Sequence, residues 1–377
     1  MNKQNYIKKA ADIIVNHSLQ VKQDDRVLIR FKNQETMPLI LAIIDEVFAC
    51  GGMPFVKIAH PEIDDSLMSR YKEKDVEEVL KRREFDVLNH ECFISLGYNI
   101  NFERLQGANN FRKVYMQRVR DINKIYDSKR WVLINYPSQL DAEKLNMSYN
   151  DSFNKLMNYI CVDYKSMHES MLPLKNILDN AKKVQIVAPD TNLSFSIEGI
   201  SSQILSGEFN LPDGEIFTAP IRESINGYIQ YNVDSSFMGN IFKNIRLEFK
   251  DGKVVSASCS NGKDDILNDI LNQDEGARYV GEFAFGTNKN IVTPITDTLY
   301  DEKMIGSIHL ALGNCYEQSN NGNHSSIHWD MIKGLSPKYG GGKVLVDGKV
   351  VLEDGDFVLD ELKSLNRGRE ERCPQKK

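Results

Sequence analysis

Five residues in the second half of the chain, Glu215, Glu282, His309, His328 and Asp330, stand in runs that read as buried β-structure. Carboxylates and imidazoles are ligands for hard-to-borderline divalent metals, and burying so many without a compensating cation is costly. Two divalent ions would compensate them. In Ile327-His328-Trp329-Asp330 the alternation is informative. Residues two apart on a strand share a face, so His328 and Asp330 would converge while Ile327 and Trp329 pack behind them. A helical alternative pairs His324 with His328, but Gly322-Asn323 and Ser325-Ser326 are poor helix formers. His309 lies in the apolar run SIHLALG, where a lone histidine is ordinarily a hydrogen-bonded core residue. The company of the other donors makes it a ligand candidate. Glu282 stands among aromatics in Gly281-Glu282-Phe283-Ala284-Phe285-Gly286, and Glu215 follows the turn signal Pro212-Asp213-Gly214. An ionised carboxylate in such places must be paired, protonated or metal-bound.

Other chemistries lack their residues. His90-Glu91 and His168-Glu169 begin like HExxH, but Ile94 and Leu172 fill the slot of the second histidine, and Pro173 is expected to break a helix there. Both read as surface or capping histidines. No GxGxxG follows the first strand and no GxxxxGK[ST] occurs, so no nucleotide cofactor is expected. The six cysteines, Cys50, Cys92, Cys161, Cys259, Cys315 and Cys373, are scattered without a CxxC pair.

The elements that must position the donors fall into two halves. A chain of 377 residues exceeds what one core usually serves, and its 41% hydrophobic and 27% charged content is that of a globular protein. Ile7, Ala10, Ala11 and Ile14 predict an amphipathic opening helix. Strand-like runs at Arg26–Phe31 and Pro54–Ala59 flank a helical stretch, Met37–Cys50. Cys92–Tyr98 and Trp131–Tyr136 continue the alternation, with charged helical segments such as Asp75–Arg83 between them. The pattern predicts an α/β fold whose N-terminal domain, residues 1–180, carries a mainly parallel sheet as scaffold. One long helical pattern from Ser152 to Lys183 precedes the boundary. The C-terminal domain, residues 181–377, reads as a β-rich α+β catalytic domain. Asp251-Gly252 and Asp347-Gly348, each between strand-like runs, match the type I′ hairpin preference.

The net charge of −6 gives no electrostatic footprint for nucleic acid or an anionic membrane. The basic tail Asn366–Lys377, interrupted by Glu370 and Glu371, reads as solvated. The N-terminus lacks an apolar signal region and no later segment approaches 18 apolar residues, so a cytoplasmic protein with reduced thiols is expected.

Five blocks in order, NLPDGEIFTAP, DEGARYVGEFAFG, DTLYDE, SIHLALG and GNHSSIHWDMI, closely resemble the signature blocks of the M29 metallo-aminopeptidases, the aminopeptidase T and aminopeptidase S type. The resemblance is sharp from Asn210 to Met331 and more diffuse in the N-terminal half. It implies that Glu215, Glu282, His309, His328 and Asp330 fall on metal-ligand positions and Tyr316 on an active-site tyrosine. It also implies two domains, a homodimer, and a dinuclear centre that removes N-terminal residues from short peptides with a free amino terminus. Three carboxylates with two divalent ions leave about +1, which one hydroxide offsets. Zinc, cobalt or manganese would suit the donors. Glu215 or Glu282 could act as general base rather than ligand, and Tyr316 could donate a hydrogen bond to the oxyanion. Two departures stand out: Asp301-Glu302-Lys303 where the family usually has Asp-Glu-Asn, and a compact connection from Tyr316 to His328. Lys303 is expected to alter the local charge. An inactive peptide-binding homologue, a hydrolase of another bond such as a phosphoester, and a nicotinamide oxidoreductase are the rival readings. The last two lack a basic cluster and a glycine fingerprint respectively.

Overall fold

The computed structural model describes residues 1–58, 60–97 and 110–368. The last residues of the strands expected to end at Ala59 and Tyr98, and the tail beyond Gly368, lie outside the described residues. The chain divides into two compact units, Met1–Val162 with Gly207–Pro212, and Asp163–Ser206 with the chain from Asp213 on.

The first unit is built on a five-stranded sheet in the order Met53–Ile58, Arg26–Phe31, Cys92–Leu96, Arg130–Ile134, Asn210–Leu211, with every pair parallel. Runs such as VLI in Arg26–Phe31 and CFISL are apolar-rich because strands inside a parallel sheet are buried on both faces. Leu28 and Phe93 pack with Leu80 and Val87 of helix Val76–Leu88 and with Val119 and Ile122 of helix Asn110–Asp127. The opening helix spans Lys3–Asp12 and continues as a wider-wound turn over Ile13–Ser18.

One helix was expected from Ser152 to Lys183, and two form, Tyr149–Ile160 and Tyr164–Asp179. Asp163 starts the second by accepting a hydrogen bond from the Ser166 backbone at 3.0 Å. The division between units accordingly falls before this helix, not near Asn180, since Met171, Leu174 and Leu178 bury in the second unit's core. Pro173 does not break the helix but sits inside it. That apolar face offsets the missing backbone donor.

The second unit holds two large antiparallel sheets and a small two-stranded one, Ser235–Phe237 with Asn240–Phe242. One has eight strands, ordered Lys253–Ser258, Arg246–Lys250, Asn226–Gln230, Thr191–Ser196, Lys183–Ala188, Lys343–Val346, Lys349–Glu353, Asp356–Phe357. Both hairpin signals act here: Asp251 and Gly252 have φ of 49° and 82°, Asp347 and Gly348 of 47° and 78°, as a type I′ turn requires. The other sheet has five strands, ordered His328–Gly334, Ser307–Gly313, Val280–Gly286, Glu215–Thr218, Gln203–Leu205. Its core face carries Ile216, Phe283, Phe285, Ile308, Leu310, Leu312, Trp329 and Met331, which pack with Val184, Phe195 and Leu247 of the larger sheet. Trp329 also stacks on Phe237, with ring centroids 4.6 Å apart, and its indole N–H donates to Ser235 Oγ at 2.8 Å.

Candidate metal centre

Period two sends every other side chain of the five-stranded sheet away from that core. Opposite Phe283 and Phe285 stand Glu282, Ala284 and Gly286; opposite Leu310 stand His309 and Ala311; opposite Trp329 stand His328 and Asp330. The register aligns them across strands, with Glu282 beside Ala311, Ala311 beside Asp330, Ala284 beside His309, Gly313 beside His328 and Gly286 beside Glu215. Alanine and glycine alternate with the donors, so the face leaves space in which the long polar side chains meet.

All five sequence-derived donors come together on this face. His309 Nε2 lies 3.4 Å from Glu215 Oε2, 3.4 Å from Glu282 Oε1 and 3.9 Å from Asp330 Oδ1. His328 Nε2 lies 3.3 Å from Glu282 Oε2 and 3.4 Å from Asp330 Oδ1. The rival helical pair does not form, since His328 opens a strand and His324 is exposed in the preceding loop. His90 Nδ1 sits 2.7 Å from Asp86 O at a helix end and His168 Nδ1 sits 3.1 Å from Ser206 Oγ, both away from the donor sets.

A sixth donor, Glu302, was not singled out from the sequence. Among the described residues three overlapping sets place their donor atoms within 4.8 Å of one another: Glu215, Glu282, His309; Glu282, His328, Asp330; and Glu302, His309, Asp330. Glu302 ends a short helix, Thr298–Asp301, capped by Asp297 Oδ1, which accepts from the Leu299 backbone at 3.1 Å. The helix tucks against Gly286, where a Cβ would stand 2.2 Å from Met304 O. No spacing rule covers a loop residue; the only sequence signal was the acidic pair in DTLYDE.

Lys303 reaches the same place. Its side chain is 1% exposed, with Nζ 2.6 Å from Glu215 Oε1, 2.9 Å from Glu302 Oε1 and 3.7 Å from Asp213 Oδ1. Gly214, at φ 130°, lets the chain turn from Asp213 into the Glu215 strand; a Cβ there would meet Met167 Sδ at 2.9 Å. Tyr316 lies at the rim, 45% exposed, its ring centroid 4.8 Å from that of His328 and 5.5 Å from that of Phe217.

The ionisation of these groups reports an excess of acid. Burial alone would lower the His309 imidazole, yet hydrogen bonding to Glu282 and the charges of Glu215 and Asp330 carry it up to about 9. Burial likewise opposes the His328 cation, and Tyr316 and Asp330 nonetheless raise it well above the usual histidine range. Burial pushes Glu215 up to about 7 despite the Lys303 ammonium, and Glu302 up to about 7 in the same way. Against burial, the two histidines hold Glu282 below its ordinary value, and His328 holds Asp330 far below. Against the pull of the His328 charge, burial and the carboxylates of Glu282, Asp330 and Glu302 raise the Tyr316 hydroxyl, which stays a proton donor.

The residues fit a divalent ion. Glu215 Oε2 is buried without a hydrogen-bond partner, a costly state that a bound cation relieves. His328 Nδ1 lies 2.8 Å from Asn314 O, which fixes Nδ1 as a donor and makes Nε2 the nitrogen whose proton a metal would displace. Carboxylate oxygens with imidazole nitrogens suit hard-to-borderline divalent metals.

Known proteins resemble this chain over most of its length. A family model described as "Thermophilic metalloprotease (M29)" matches residues 3–357. The chain is 23% identical over 322 residues to Aminopeptidase 2 of Geobacillus stearothermophilus, covering 75% of this chain and 77% of that one. Wild-type AmpT from Thermus thermophilus superposes with a TM-score of 0.78 at 18% identity, over 95% of this chain and all of that one. A 2,5-dihydroxypyridine dioxygenase from Pseudomonas putida KT2440 shares the fold at a TM-score of 0.63 and 12% identity, over 96% of this chain and all of that one. One fold thus hosts different chemistries, and the donor residues, not the fold, carry the assignment. With a match over nearly its whole length, the chain belongs to the M29 metalloprotease family, the metallo-aminopeptidases of the aminopeptidase T and aminopeptidase S type.

Proposed function

We propose that this metallo-aminopeptidase uses Glu215, Glu282, Glu302, His309, His328 and Asp330 to hold its metal, and that it removes N-terminal residues from short peptides. The observation that carries the reading is the convergence of these largely buried donors, five on one face of a sheet and Glu302 from the helix end beside it, around Glu215 Oε2, which accepts no hydrogen bond. A bound divalent ion supplies a Lewis acid that polarises the scissile carbonyl and acidifies a water. The chain's own groups do the rest. His328, held by Asn314 O, keeps its nitrogen aimed at Glu282 and Asp330. Tyr316 at the rim donates a hydrogen bond to the developing oxyanion, and a site carboxylate, Glu215 or Glu282, takes the proton of the attacking water. The acid-rich face attracts the free α-ammonium of the peptide and sets the requirement for an unblocked amino terminus.

The overlapping sets offer room for two divalent ions, zinc, cobalt or manganese, with Lys303 standing beside one of the positions. A homodimer is part of the proposal. The edge strand Met53–Ile58 of the first unit leaves Phe55, Val56 and Ile58 exposed at 40%, 49% and 67%, and a second copy pairing edge to edge would cover them. The free thiols Cys50, Cys92, Cys161, Cys259 and Cys315 suit a reducing, cytoplasmic setting.

The test is removal of metal with a chelator, then assay of aminoacyl-nitroanilides while each divalent ion is returned. Activity should vanish on stripping, return with metal, and fall on N-acetylated substrates. Full activity in protein shown to be metal-free sinks the reading.

A further inference from the structure

Lys303 is the group that the metal reading does not absorb. A lysine is expensive to bury, and this one is 1% exposed. Its ammonium lies 2.6 Å from Glu215 Oε1 and 2.9 Å from Glu302 Oε1, the closest cation to two carboxylates that each belong to a donor set of the centre. The backbone around it is anchored, with the Asn288 N–H donating to Lys303 O at 3.0 Å and the Lys303 N–H donating to Tyr300 O at 3.2 Å. The side chain cannot be moved out by a small shift of the loop.

We propose, on the footing of the metal reading above, that the Lys303 ammonium is a built-in second cation, so that the centre holds one divalent ion at Glu282, His328 and Asp330, with His309 beside it. Charge counting by itself does not choose. The four carboxylates Glu215, Glu282, Glu302 and Asp330 contribute −4 and Lys303 +1, so one divalent ion leaves −1 and two leave +1. A hydroxide offsets the second case, and the α-ammonium of a peptide offsets the first. Position decides. Lys303 ties Glu215 and Glu302 to itself, while Glu282 Oε2 and Asp330 Oδ1 stand 3.3 and 3.4 Å from His328 Nε2, on residues other than the Asp213, Glu215 and Glu302 that pair with the ammonium. A divalent ion placed on Glu215 would stand next to a fixed positive charge in a region of low dielectric, where like charges repel strongly. The lysine thereby takes over the neutralising task of a second metal without its Lewis acidity, and it holds Glu215 through Oε1 at the border of the single-ion site.

The test counts ions. Untagged wild-type protein and the variants Lys303→Asn and Lys303→Met are saturated with manganese, freed of excess, and measured by plasma mass spectrometry and electron paramagnetic resonance. Wild type is expected to retain one ion per chain with the signal of an isolated Mn²⁺, and the variants two ions with the signal of a spin-coupled pair. Two ions in the wild type, or one ion in a folded variant, overturns the role of Lys303 and leaves the aminopeptidase reading standing. No retained ion in the wild type overturns the metal reading itself. If both variants fail to fold, the wild-type count still decides.

Discussion

Glu282 serves two of the three donor sets at once, its Oε1 toward His309 and its Oε2 toward His328. A neutral amide in its place keeps the shape and removes the charge that both histidines face. Glu282→Gln is therefore expected to abolish aminoacyl-nitroanilide turnover and to lower metal retention by at least 10-fold, on the scale by which ligand-sphere changes act. Metal held at wild-type affinity with turnover lost would instead identify Glu282 as the proton carrier. Tyr316→Phe, in the same assay, should keep the metal and lose on the order of 10²–10³ in kcat, the cost of one oxyanion donor. At this scale the sequence was legible for Glu215, Glu282, His309, His328 and Asp330, because charged or imidazole side chains within apolar runs announce an unusual compensation. It was not legible for Glu302, whose helix end has the polar composition of any surface turn.

The strand Ser307–Gly313 separates two jobs by alternation. His309 faces the donors, while Ile308, Leu310 and Leu312 lie fully buried in the core between the sheets. Leu310→Ala should therefore destabilise the protein by about 2–5 kcal/mol in urea unfolding, the range for deleting a buried leucine side chain, and leave the metal count unchanged. A loss of metal at full stability would mean that the strand's faces are not independent. The alternation of Ile327-His328-Trp329-Asp330 made the neighbouring strand readable before the fold was known, whereas SIHLALG read only as an apolar run with a histidine in it. The helix Tyr164–Asp179 was not readable in the same way, since Pro173 signals a break and only the burial of Met171, Leu174 and Leu178 outweighs it.

At the scale of the whole molecule, no helix of the described residues is long and apolar enough to cross a membrane, and apolar surface gathers instead at the edge strand Met53–Ile58. Sedimentation should give twice the chain's 43.1 kDa, and a Val56→Lys, Ile58→Lys double variant should sediment as a monomer with its metal retained. Wild type running as a monomer at micromolar concentration would remove the dimer from the proposal. By itself the sequence determined the parallel α/β half and the antiparallel half, because each rests on local composition and on a repeat of two or 3.6 residues, and it named as candidates the five residues that the sheet brings together. Only the tertiary structure decided three things: that Asn210–Leu211 returns to pair with Arg130–Ile134, that the second unit begins before the helix at Tyr164, and that Glu302 and Lys303 enter the centre. Each joins segments far apart in the chain, and what brings them together is the burial of apolar faces and the pairing of backbone groups across that distance, which no local pattern encodes.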